Sequence, residues 1–562
     1  GVETHGVSNM LRNYVQYYND GTYKARADWR IVRVKDVAPG KDLSDEIRWV
    51  KFSALDWAKD GSGFYYSRFP APAEGAAFQS LNENHSVYFH KLGTPQSADV
   101  LIHATPDKPK MNNSGVVTDD GKYLLVISSE GTDERYGLTL HPTGKPGAKP
   151  IVLVDDYANN WEYVTNVGSR FTFLTNKGAP RARLVSLDIK KPAALTELVA
   201  ENEATLVGAS RVGDRIILSY LGDAKSEARM VALDGKPVAN INLADIGSAS
   251  GFGGKSSDPE TFYAFSSYAR PTTIYRFDTA TGKSEIFAEP KLTFKPADFT
   301  VEQRFYKSKD GTEVPMFLVM KKGLDRSKGS PTLLYGYGGF NVSMTPAFSP
   351  TRLAWVDKGG VLAIANLRGG GEYGKAWHDA GRLDKKQNVF DDFIAAGEYL
   401  IAQGIAGKGQ VAIEGGSNGG LLVGASMNIA PTLWGGVIAQ VPFVDMLNTM
   451  SDGAHPLVPL FRPDWGDPLA DPKAYDYIAS ISPYENVRAA AYPPLLCTAG
   501  LKDDRVAYWE PAKLVAEVRR RSTSGSPALL MTDMDSGHQG SADLASEYRQ
   551  KALFWAFAMR CV

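Results

Sequence analysis

The hexapeptide Gly415-Gly416-Ser417-Asn418-Gly419-Gly420 follows the apolar run Val411-Ala412-Ile413-Glu414 and precedes an apolar stretch that begins at Leu421. Strand, tight turn and helix in that order, with glycines two before and two after a serine, form the pattern of a nucleophile elbow. The turn lifts the serine hydroxyl to the top of a sheet, and the N–H of the next residue can point at a developing oxyanion. The glycines are required because a side chain at those points would collide with the neighbouring strand and helix. A phosphate-binding turn, or a tight turn with no chemistry, is the competing reading of six residues alone. The strand-then-helix context favours the nucleophile.

A serine hydroxyl is a poor nucleophile, so a general base and a group to orient it are needed. This elbow expects the order Ser, acid, His. Only His455 and His538 follow Ser417. His538 lies in the Gly-bounded loop Asp535-Ser536-Gly537-His538-Gln539-Gly540, between the last expected strand and the last expected helix, whereas His455 comes too early. The acid is expected in Gly500-Leu501-Lys502-Asp503-Asp504-Arg505-Val506, just past the strand Leu495 to Thr498. Spacing does not separate Asp503 from Asp504: one orients His538, and the other caps a turn or pairs with Arg505. Asp391-Asp392 reads as the solvated face of a helix.

These loops need a scaffold. After Pro290 a hairpin (Val301 to Tyr306, Glu313 to Met320) leads into buried-looking strands at Thr332 to Tyr335, Val361 to Asn366, Val411 to Glu414, Gly436 to Gln440, Leu495 to Thr498 and Ala528 to Thr532. Helical periodicity separates several of them, as at Val389, Phe390, Phe393, Ile394, Tyr399 and Leu400, and Trp509 to Arg520 and Ala542 to Met559 also read as helices. Strands alternating with helices imply a mostly parallel, doubly wound sheet covered on both faces, so 291–562 is expected to be one α/β domain. From 31 to 290 the pattern is all β: turn signals near 61, 121, 168, 213 and 258 each precede an alternating strand. That interval matches the ~40 to 50 residues of one four-stranded propeller blade, and about five blades are recognisable; a β-sandwich is the competing arrangement. Residues 1–30 remain unassigned.

Composition removes other classes. The chain has 562 residues, 43% hydrophobic and 22% charged, which predicts several cores. Sixty-two Lys and Arg against 63 Asp and Glu leave a formal charge of -1, without the footprint of a nucleic-acid binder. Cys497 and Cys561 are too few for a disulfide framework, and with eight scattered His they make no zinc pattern, so no metal and no cofactor are expected. No run approaches the ~18 to 20 apolar residues that span a bilayer, and no membrane partner is expected. The sequence starts at Gly1, not Met, which fits removal of a preceding segment; a cytoplasmic location is expected, with a periplasmic one as the alternative. Gly369-Gly370-Gly371-Glu372-Tyr373-Gly374 follows a strand, but no helix opens directly after it, which weakens a dinucleotide reading.

The sequence resembles the prolyl oligopeptidase family of serine peptidases from about residue 31 to the C-terminus. The resemblance rests on Leu334-Tyr335-Gly336-Tyr337-Gly338-Gly339-Phe340-Asn341, Asn366-Leu367-Arg368-Gly369-Gly370-Gly371-Glu372-Tyr373-Gly374, Lys386-Gln387-Asn388-Val389-Phe390-Asp391-Asp392-Phe393 and Gly415 to Leu421. Arg48-Trp49-Val50-Lys51-Phe52-Ser53 and Tyr163-Val164-Thr165-Asn166 extend it into the β half. It implies a seven-bladed propeller capping an α/β-hydrolase domain, with oligopeptides cleaved between them. Carried over by motif, Ser417 is the nucleophile, Asp503 the orienting acid and His538 the base; the Asn418 N–H and Tyr337 hydroxyl form the oxyanion hole. Arg505 anchors the substrate backbone, and Phe340 and Val506 wall a proline-accepting pocket.

Three departures qualify the resemblance. About two blades and an N-terminal segment lack a counterpart. From about Gln440 the chain looks more like oligopeptidase B, which cleaves after Arg and Lys, at Val441-Pro442-Phe443-Val444-Asp445, Trp465-Gly466-Asp467-Pro468 and Tyr508-Trp509-Glu510-Pro511-Ala512-Lys513. Neither substrate signature is intact: the proline-stacking tryptophan segment is absent, and Phe461 and Pro463 stand where the basic-specific relative carries acids. A buried cationic side chain without a carboxylate is costly, so cleavage of short peptides after Pro or a small apolar residue is expected, with Phe443 and Trp465 as replacement walls. Cleavage after Arg or Lys is the alternative. A catalytically inactive, propeller-based binding protein is the alternative of another class.

Overall fold

The computed structural model describes residues 29–73, 81–144, 148–455, 457–540 and 543–562, together with two strands at Glu3–His5 and Asn13–Asn19. Six four-stranded antiparallel sheets follow one another, at 3–50, 55–103, 111–154, 161–199, 205–241 and 248–288. The five turn signals of the sequence each fall in the link between the first and second strand of successive sheets, from the second to the sixth. At Gly61, Gly121, Gly168 and Gly213 φ lies between 59° and 73°, a left-handed turn that glycine adopts without steric cost.

The first sheet adds a blade to the five counted from sequence. Its first two strands, the edge strand Glu3–His5 and the inner strand Asn13–Asn19, lie inside the 1–30 segment left unassigned, and Asn13–Asn19 pairs with Arg30–Asp36; residues 1–2, 6–12 and 20–28 lie outside the described residues. Consecutive sheets bury their facing surfaces against each other. Val32, Ile47 and Val50 of the first meet Trp57, Phe64 and Tyr66 of the second, and Leu125 and Leu138 of the third meet Trp161, Phe171 and Phe173 of the fourth. Shared cores of this kind join every consecutive pair. This face-to-face stacking is what makes the β half a propeller.

The α/β domain is built on one eight-stranded sheet: β1 (Phe299–Lys307), β2 (Glu313–Lys321), β3 (Thr332–Tyr335), β4 (Val361–Ala365), β5 (Val411–Gly416), β6 (Gly436–Gln440), β7 (Leu495–Gly500) and β8 (Ala528–Asp533), ordered β1-β2-β4-β3-β5-β6-β7-β8. The hairpin β1-β2 and the β2-β4 pair are antiparallel; from β4 onward every pair is parallel. Period-two alternation sends Leu334, Val411, Ile413 and Val437 into one core and Leu333, Ala412, Ile438 and Leu496 into the other. Burial on both faces is why these strands are continuously apolar. No described helix is long and apolar enough to cross a membrane.

Asp391-Asp392 departs from the sequence reading. Asp392 is fully buried on the helix Gln387–Ala402 and accepts from Arg368 Nη2 at 2.6 Å and from its Nε and backbone N–H. Arg368 lies just past β4, so the partner that pulls this carboxylate inward comes from a distant segment. Contacts also stitch the two halves together. The Thr132 hydroxyl donates to Asp464 at 3.0 Å, the Tyr373 hydroxyl to Asp223 at 2.9 Å, and Lys51 lies 3.7 Å from Asp504.

Candidate active site

Ser417 sits between β5 and the helix Asn418–Ile429 with φ 56° and ψ −117°, a conformation a non-glycine residue holds only under constraint. The constraint is visible. Its N–H donates to the Gln440 carbonyl at 2.9 Å, and its carbonyl accepts from the N–H groups of Gly420, Leu421 and Phe443. A Cβ on Gly415 would stand 2.1 Å from the Gly419 carbonyl oxygen, and one on Gly420 would stand 2.4 Å from Pro442. The elbow therefore closes only with glycine at these points. Asn418 opens the helix, where an amide has no acceptor one turn back and is left to point outward.

Two loops at the same end of the sheet bring the other groups. The loop after β7 carries Asp503, fully buried, whose Oδ2 lies 2.8 Å from His538 Nδ1 on the loop after β8. Its Oδ1 accepts from the N–H groups of Arg505 and Val506, both at 2.9 Å. A carboxylate held by two amides has one oxygen fixed toward the imidazole, which sets that ring's tautomer and direction. Asp504, left open by spacing, faces Lys51 of the propeller. Among the described residues neither Ser417 Oγ nor His538 Nε2 has another hydrogen-bond partner. The imidazole–carboxylate link is thus formed; the hydroxyl–imidazole link is not, as is common before substrate binds.

Tyr337 follows β3. Its carbonyl accepts from Asn418 Nδ2 at 2.8 Å, which binds the turn to the elbow. Burial pushes the Tyr337 phenol up to about 12, with Tyr335 and Asp464 adding to the effect and the Arg505 guanidinium opposing it. The hydroxyl therefore stays a proton donor across the neutral range, and Arg505 lies near enough to be felt there.

Phe340, Phe443, Phe461 and Trp465 form one aromatic cluster. Phe443 stacks on Trp465 with centroids 4.3 Å apart and planes at 9°; Phe340 and Phe461 meet Trp465 at 5.1 Å. Val506 packs into the same core. Phe443 is 1% exposed and is the back of the cluster, with Phe340 and Phe461 partly exposed at its front. Phe461, read from sequence as a missing acid, is a member of this wall. It lies on the helix Val458–Trp465, where Pro459 and Pro463 hid the helical pattern. Asp464 on that helix is 3% exposed and accepts from His378 Nε2 at 3.1 Å and from Thr132. Burial opposes the charge on His378, but its hydrogen bonds to the Asp464 and Glu134 carboxylates outweigh it and raise the imidazole to about 9. No described group of three or more His, Cys, Asp or Glu is placed to hold a metal.

Residues 21–290 match the family model for the N-terminal β-propeller domain of prolyl oligopeptidase, and residues 346–562 match that of the prolyl oligopeptidase family. A prolyl endopeptidase of Elizabethkingia miricola is 36% identical over 538 residues, covering 95% of this chain and 75% of that protein. A solved structure from a study of two prolyl endopeptidases superposes with a TM-score of 0.93 at 38% identity, covering all of this chain and 82% of the other. Oligopeptidase B from Leishmania major superposes with a TM-score of 0.89 at 27% identity, covering 100% and 78%.

Proposed function

Since the chain belongs to the prolyl oligopeptidase family and is a serine oligopeptidase with a propeller and an α/β-hydrolase domain, we propose that it cleaves short peptides after proline or a small apolar residue, through an acyl-enzyme on Ser417. The observation that carries the catalytic assignment is the 2.8 Å contact between His538 Nδ1 and buried Asp503, on loops at the same end of the sheet as the Ser417 elbow.

In this reading Asp503 holds the proton on His538 Nδ1, leaving Nε2 to take the Ser417 proton as Oγ attacks the scissile carbonyl. Negative charge then appears on the carbonyl oxygen. The Asn418 N–H and the Tyr337 hydroxyl donate to it, each such donor contributing ~2.7 to 4 kcal/mol to the transition state. His538 returns the proton to the leaving amine. Water enters by the same base and releases the acid product. Arg505 supplies donors for a substrate carbonyl.

The aromatic cluster supports the specificity. It offers flat apolar surface to a pyrrolidine ring. The acid adjoining it in sequence, Asp464, is already committed to His378 and Thr132, so an Arg or Lys side chain would not find that carboxylate free, and burying a cation unpaired costs several kcal/mol. A fluorophosphonate probe tests the first part: stoichiometric labelling lost in Ser417→Ala supports the peptidase, and no labelling of folded protein supports the inactive binding module. Matched peptides with Pro, Ala or Arg before the scissile bond test the second. Preferred cleavage after Arg would overturn it.

A further inference from the structure

Behind the two proposed oxyanion donors lies a lysine that the reaction as derived does not use. Lys386 is 1% exposed. Its ammonium donates to the Gly338 carbonyl at 2.6 Å and to Asn418 Oδ1 at 3.0 Å, while Asn418 Nδ2 donates to the Tyr337 carbonyl. The turn that carries Tyr337 and the elbow that carries the Asn418 N–H are therefore tied by three hydrogen bonds through two side chains. The approach is close: a Cβ on Gly339 would stand 2.6 Å from Asn418 Nδ2.

The place is an expensive one for a cation. Among the described residues no carboxylate lies within ion-pair distance of Lys386. It also immediately precedes the first turn of the helix Gln387–Ala402, the positive end of the helix dipole. Burial pulls the ammonium down to about 8, opposed by Asp464 alone. A methionine would fill the space without that penalty, so packing does not call for a lysine here.

We propose that Lys386 is a positioning residue of the oxyanion hole, fixing the separation of the Tyr337 hydroxyl and the Asn418 N–H so that both reach one developing oxyanion. The proposal rests on the reading of those two groups as the oxyanion donors. A substrate carbonyl asks less of that geometry than a tetrahedral oxyanion does, so the lysine acts on turnover more than on binding.

The test compares Lys386→Met, Tyr337→Phe and the double variant with a proline peptide substrate, a peptide aldehyde that forms a hemiacetal with the serine, and the product peptide. In Lys386→Met, kcat should fall about 10²-fold with KM within about 2-fold. Affinity for the aldehyde should fall in parallel with kcat/KM, and product affinity should hold. Because both substitutions act on one hole, the double variant should lie within about 10-fold of the worse single. If Lys386→Met does not fold, Asn418→Ala removes the same bridge, keeps the backbone N–H and should give the same pattern. A folded variant that keeps kcat within about 3-fold overturns the proposal, as do losses that multiply fully with Tyr337→Phe. If Tyr337→Phe alone stays within about 3-fold of wild type, the oxyanion reading itself fails, and the proposal with it.

Discussion

Asp503→Asn and Asp504→Asn differ by one position in sequence, and the geometry around them predicts opposite outcomes. Asp503 Oδ1 accepts from two backbone N–H groups and Oδ2 faces His538 Nδ1. An asparagine there can keep its oxygen on the two amides and turn its NH2 to the imidazole, or do the reverse. The reverse sets an NH2 against two N–H donors and leaves both unsatisfied, at ~1 to 3 kcal/mol each, so the first orientation prevails by roughly 2 to 6 kcal/mol. In that orientation Nδ1 must accept, the ring proton moves to Nε2, and the base can no longer take the Ser417 proton. A wrong tautomer costs about 10⁴ in kcat, or ~5.5 kcal/mol of activation free energy. Asp504→Asn weakens the pairing toward Lys51, away from the His538 imidazole, and should hold kcat within about 10-fold. Steady-state hydrolysis of a fluorogenic proline peptide reads both, with thermal melts as the check on folding. A folded Asp503→Asn enzyme retaining a tenth of wild-type kcat, or an Asp504→Asn enzyme just as impaired, would refute the assignment of the acid.

Three further outcomes follow from the geometry. His378 is raised from 6.5 to about 9 by Asp464 and Glu134 despite burial, so its contribution, on the order of 3 kcal/mol, is complete below about pH 6.5 and lost as pH rises through 9. Melts of wild type and His378→Asn from pH 6 to 10 should converge at the alkaline end; a gap independent of pH would contradict this. Gly415→Ala places a Cβ 2.1 Å from a backbone oxygen and should abolish fluorophosphonate labelling by distorting the elbow, whereas Gly416→Ala, with 3.6 Å of room, should label. Phe461→Glu puts a carboxylate among the wall aromatics and should raise the ratio of Arg to Pro cleavage at least about 10-fold, measured on matched peptides; an unchanged ratio would remove Phe461 from the pocket.

Where local pattern decides structure, the sequence was readable. The five turn signals each mark the same hairpin in successive blades, and all six strands expected from Thr332 onward are present within a few residues. Order along the chain and motif single out elbow, acid and imidazole as candidates, and His538 Nδ1 lies 2.8 Å from Asp503. What escaped depends on remote partners. Asn13–Asn19 becomes an inner strand because Arg30–Asp36 lies beside it. Asp392 turns inward because Arg368 waits there, and Lys386 is buried because Gly338 and Asn418 converge on it. No periodicity along the chain encodes those meetings. The helix that carries Phe461 and Trp465 was hidden by its own two prolines.

That helix leans on the propeller. The Thr132 hydroxyl and N–H both reach the Leu460 carbonyl, and a Cβ on Gly131 would stand 2.9 Å from that residue's backbone. The side chains that would judge a peptide's sequence thus ride on a support shared by both domains. Were the halves to part along this seam, the judging surface would slacken as the entrance widened. Admission and discrimination would then be a single mechanical event, and the α/β half severed from its cap would lose its selectivity before it lost its chemistry.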